Sequence, residues 1–172
     1  MTQLLTTTLR NRSELQSTLN ELEQIGVRDE QITVLSNEKT HHKHFGTLDE
    51  DHQEETVEEG AAEAATSGGL VGAVLGGVIT ATSLALPGVN ILVGGALAAT
   101  LVGAGAGAMT GAVAGGLLGA LGTYGVTEAE ARKYEEDIRA GRILLMVKPS
   151  DESQHIDIAR IIAEHDKKRL AA

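Results

Sequence analysis

Apolar positions along this chain follow two different rhythms, separated by a long stretch that follows neither. Gln3 to Leu9 is apolar and β-branched, and predicts a strand. Asn11-Arg12-Ser13-Glu14 then offers a capping box, with Asn11 as N-cap and Glu14 three residues on; Ser13 with Gln16 is the alternative. Leu15, Leu19, Leu22 and Ile25 recur at steps of four, three and three, which is one face of a helix, and Gly26 is placed to stop it. Gln31 to Leu35 predicts a second strand.

The same rhythms return near the end of the chain. Thr127-Glu128-Ala129-Glu130 is another capping box. It opens a helix that runs to Ala140 and stops at Gly141, with Tyr134 and Ile138 on its apolar side and Glu135, Glu136 and Asp137 facing water. Ile143 to Val147 is continuously apolar, as a central strand covered on both faces would be. Pro149-Ser150-Asp151 breaks and caps it. A last helix follows, with Ile156, Ala159, Ile162 and Ala163 inward and Lys167-Lys168-Arg169 complementing its dipole. The order β-α-β … α-β-α predicts an α+β fold, a three-stranded ferredoxin-like sheet. Its third strand lies between the first two and is antiparallel to both.

Between the halves, from Glu63 to Glu128, lie 64 consecutive residues without Asp, Glu, Lys, Arg or His, holding 17 of the chain's 21 glycines. Such a run must be buried in protein or in lipid. Its break at Leu86-Pro87-Gly88-Val89 is a turn signal, so the run predicts a helical hairpin turning at Pro87 and Gly88. The first arm, Thr66 to Leu86, is long enough for a hydrocarbon core of about 30 Å. The second, Ile91 to Gly122, is longer than one crossing needs and predicts a break near Gly94-Gly95. Gly68, Gly72 and Gly76 in the first arm, and Gly103, Gly107, Gly111, Gly115 and Gly119 in the second, repeat every four residues. Each set is a stripe without side chains, suited to close helix packing. Glycine in a helix interior is worse than alanine by about 1 kcal/mol, and Gly103 to Gly122 holds eight, so packing, lipid or an oligomer must offset the penalty. A flexible linker would be richer in Ser and polar residues. The remaining readings are a transmembrane hairpin and a water-soluble assembly that buries the same helices. Leu, Ile and Phe are sparse enough to make insertion marginal.

Charge narrows the functions open to the chain. The net charge of −10 falls mostly on residues 1–63, with 5 basic and 14 acidic side chains, against 9 and 10 in residues 128–172. Only Phe45, Tyr124 and Tyr134 are aromatic. An acidic chain with so few stacking groups is not built for nucleic acid. The absence of cysteine excludes disulfides, thiolate catalysis and Cys-ligated zinc. No cationic n-region precedes an apolar stretch at the start, so no secretory signal is expected. Residues 37–63 read as an acidic linker containing His41, His42, His44 and His52. Imidazole and carboxylate are the ligands available for a metal, but nothing in the spacing fixes a geometry, and a solvated linker explains the composition as well. Elsewhere only His155 and His165 are available as bases, with no Ser/His/Asp grouping and no phosphate-binding loop.

The segment Gly26-Val27-Arg28-Asp29-Glu30-Gln31-Ile32, the Gly/Ala-rich middle with Leu86-Pro87-Gly88, and Gly125-Val126-Thr127-Glu128, Tyr134-Glu135 and Gly141-Arg142-Ile143-Leu144 occur in that order. In this the chain resembles the bacterial general stress protein 17M-like family, the low-temperature- and heat-induced stress proteins. The resemblance implies a stress-induced, non-enzymatic protein without catalytic residues or cofactor. The combined expectation is a self-assembling, membrane-associated homo-oligomer with both termini cytoplasmic, or a cytoplasmic assembly, or a metal- or ligand-sensing module using the histidines. Residues 1–36 and 126–172 form the two halves of one domain, and residues 64–125 form the hairpin inserted between them.

Overall fold

The computed structural model describes residues 4–45, 74, 82–86, 89–95, 121–122 and 124–170. The fold is α+β. Strand β1 (Leu5–Leu9) leads into helix α1 (Arg12–Gln24), then β2 (Ile32–Asn37) and α2 (Glu38–Phe45). Strands β3 (Thr82–Leu86) and β4 (Val89–Gly95) come next, followed by α3 (Glu128–Arg139), β5 (Ile143–Val147) and α4 (Glu152–Leu170). The sheet order is β1-β5-β2-β4-β3 and every neighbouring pair is antiparallel.

The helices start and stop where the sequence marks them. The Asn11 side chain accepts a hydrogen bond from the Glu14 N–H at 2.9 Å, and Thr127 and Glu130 form a reciprocal capping box. At the end of α1 the Val27 N–H bonds to the Leu22 carbonyl and the Gly26 N–H to that of Glu23. This Schellman pair needs the left-handed backbone that Gly26 adopts, at φ +78°. The same pair of bonds closes α3, from Arg142 to Asp137 and from Gly141 to Ile138.

β5 is buried along its whole length and lies between β1 and β2, antiparallel to both. Side chains alternate between the faces of a strand, so its odd and even positions serve different cores. Ile143, Leu145 and Val147 pack with Leu15, Leu19 and Leu22 of α1 and with Ile158 and Ile162 of α4. Leu144 and Met146 pack with Ala131 and Ile138 of α3, together with Leu35, Ile91, Val93 and Leu121. A ferredoxin-like sheet carries its helices on one face; here helices cover both, and five strands replace the expected three. The phase of α4 also differs from expectation. Ile158 and Ile162 are buried, whereas Ile156 and Ala163 are exposed, because contact with α1 selects the face that carries Ile158, Ile162 and His165. Asp137 is largely shielded rather than facing water, paired with Arg142 at 3.1 Å.

The predicted helical hairpin is corrected at its centre. The residues either side of Pro87-Gly88 are strands, paired from Leu86↔Val89 to Thr82↔Val93, and β4 continues the sheet from β2. Residues 91–94 are all buried, as in a strand covered on both faces, and pairing with β2 and β3 replaces the helix expected there. The expected break near Gly94-Gly95 coincides with the end of β4. Among the described residues, no helix is long and apolar enough to cross a membrane.

Candidate functional site

Arg10, at the end of β1, and Glu14, Ser17 and Glu21, on one face of α1, meet His165 and Asp166 of α4 around a cavity of about 310 Å³. The Arg10 guanidinium and Glu14 carboxylate pair at 2.7 Å, and the Arg10 backbone N–H donates to Glu14 Oε2 at 2.6 Å. Burial pushes the Glu14 carboxyl up. The Arg10 hydrogen bonds and charge, joined by the charge of His165, outweigh it and leave the group below its ordinary value. Across the cavity His165 Nε2 lies 3.4 Å from Glu21 Oε1, with the imidazole only 12% exposed. That contact has an ion-pair distance without hydrogen-bond geometry. Thr7 donates to Asp166 at 3.3 Å and fixes α4 against β1.

The cavity therefore holds one imidazole among three carboxylates and a guanidinium. Its hydrogen bonds tie the elements together and leave Ser17 without an activating base, since none joins it to the imidazole among the described residues. No group of three His, Asp or Glu there is disposed to hold a metal ion. Sequence reading missed the grouping because Glu21 and His165 are far apart in the chain. The spacing of Glu14, Ser17 and Glu21 at one helical face was the available signal.

The predicted site residues fall elsewhere. His41 is fully buried, on a helix that begins directly after β2. The linker reading is corrected for residues 38–45: Asn37 accepts from the Thr40 N–H at 2.7 Å and donates to the Ile138 carbonyl at 2.6 Å, which starts α2 and ties it to α3. His42 and His44 share that helix. His52, the turn residues Pro87 and Gly88, and the stripe glycines Gly68, Gly72, Gly76, Gly103, Gly107, Gly111, Gly115 and Gly119 lie outside the described residues. Comparison with family models, curated proteins and solved structures gives no match.

Proposed function

We propose that this is a non-enzymatic, self-assembling protein whose α+β domain holds two uncharged, glycine-striped segments and packs them against those of further copies. The bacterial stress-response setting comes from the sequence resemblance alone. The observation that carries the reading is that the first uncharged segment ends, and the second begins, at one end of the same sheet. Thr82 pairs with Val93, and β4 ends at Gly95 two residues further on, so the chain enters β3 and leaves β4 at the same end of the sheet.

Residues 64–81 arrive there, and Val74 among them is buried in the core on the side of α1 and α4. Residues 96–120 follow Gly95 and precede Leu121, which is buried on the side of α3. A segment that leaves a domain and returns to it crosses a bilayer an even number of times. Two crossings need about 40 apolar residues at roughly 20 each, against 18 and 25 uncharged residues here. The transmembrane hairpin expected from the sequence fits this arrangement poorly, and burial against protein fits it well. The partner is then a second copy, rather than lipid or nucleic acid.

Replacing Gly111 with Leu tests the reading. Leu improves helix propensity by about 1 kcal/mol but holds apart backbones that glycine lets touch. Sedimentation velocity and native mass spectrometry should show an oligomer for the parent and an association about tenfold weaker or more for Gly111→Leu, equivalent to about 1.4 kcal/mol. Gly122→Leu should assemble as the parent does, because a side chain at Gly122 meets open space. A parent that stays monomeric, or one that pellets with membranes and resists carbonate, overturns the proposal.

A further inference from the structure

Among the described residues, β3 is the outermost strand of the sheet. Leu86 and Val89 flank a two-residue connection, which makes them a hydrogen-bonded pair; pairing then alternates, so Leu84 with Ile91 and Thr82 with Val93 are bonded pairs too. Ser83 and Ala85 therefore turn their backbone N–H and C=O groups away from β4, toward the side on which, among the described residues, no strand pairs with β3. Natural edges are guarded by Lys, by Pro or by bulges. Thr82-Ser83-Leu84-Ala85-Leu86 has none of these, and the nearest charged residues along the chain are Glu63 and Glu128. The opposite edge, β1, runs into Arg10 and is tied to Asp166 of α4 through Thr7.

We propose that β3 pairs antiparallel with β3 of a second copy, about a twofold axis at Leu84, so that two five-stranded sheets become one continuous sheet. This rests on the self-assembly reading and names where two copies meet. The outward groups of Ser83 and Ala85 are placed symmetrically about Leu84. In that register Ser83 exchanges both backbone hydrogen bonds with Ala85 of the second copy, and its twofold mate does the same. Leu84 faces its own counterpart in a non-hydrogen-bonded pair, the closer of the two spacings, with Cα atoms about 4.5 Å apart. Charge selects the occupant. Two chains of net charge −10 repel through most of their surfaces, and this edge lets them approach without opposing like charges. A basic partner would be drawn to the acidic surfaces instead.

The chain has no cysteine, so single cysteines placed along β3 report the register directly in the full-length protein. Leu84→Cys should form a disulfide-linked dimer on mild oxidation about tenfold faster than Ser83→Cys or Ala85→Cys, since only the axial pair falls within disulfide reach. Ala85→Pro removes an outward N–H that β4 does not use. It should weaken association about tenfold or more, with the far-ultraviolet circular dichroism unchanged. Equal cross-linking at all three positions overturns the twofold pairing. If Ala85→Pro assembles as the parent does while Gly111→Leu does not, self-assembly stands and the edge contact falls. A parent that is monomeric throughout ends both.

Discussion

Gly95 sits where β4 ends, at φ +101°, with its backbone against β2. A Cβ there would overlap the Ile32 carbonyl oxygen and lie 3.1 Å from the Thr33 Cα. Both neighbours are backbone atoms of a buried strand and cannot swing aside. Gly95→Ala should therefore lose about 1–3 kcal/mol, seen as a lower urea midpoint with an unchanged slope. Glu14 offers a different test. Its folded-state pKa lies below the ordinary value of 4.5, so its contribution is complete above that value and is lost as the pH falls through the folded pKa. Glu14→Gln should be less stable than the parent at neutral pH, and the gap should close as pH drops below the ordinary glutamate range. A gap of constant size down to pH 2 would show that Arg10 and His165 do not act on this carboxylate. At this scale sequence reading succeeded where one residue's local chemistry decides, as at Asn11, Gly26 and Thr127. It failed at Asn37 and His41, whose burial depends on where β2, α2 and α3 meet.

Among the elements, the strand at Ile143–Val147 was legible because an uninterrupted apolar run is what burial on two faces demands. The hairpin was legible only as a turn. Pro87-Gly88 marked the reversal, but the regular glycines around it outweighed the short apolar run Ile91-Leu92-Val93. Nothing in the sequence announced β2 as their neighbour. That pairing has an energetic consequence. Ile91 and Val93 are fully buried, and burying such side chains contributes about 1.5–3 kcal/mol each. A shortened chain in which a flexible linker replaces residues 46–126 should unfold at a much lower urea concentration than one that keeps residues 82–95 between two such linkers. Equal midpoints would mean that β3 and β4 add nothing to the domain. The inward face of α4 was misread for the same kind of reason. Ile156, Ile158, Ile161 and Ile162 offer two overlapping apolar stripes, and only the position of α1 chooses between them.

For the whole molecule, the order in which the strands are made differs from the order in which they lie. β5 occupies the place between β1 and β2, yet it is the last strand to be synthesised. At about 5–20 residues per second, the ribosome delivers β2 roughly 5–20 s before β5. Throughout that interval β1 and β2 have no strand between them, while the entire uncharged stretch is being made. The protein is thus most exposed to wrong association while it is being born. Residues 64–127 are the stretch that must be kept from wrong contacts until Ile143–Val147 arrives to close the sheet.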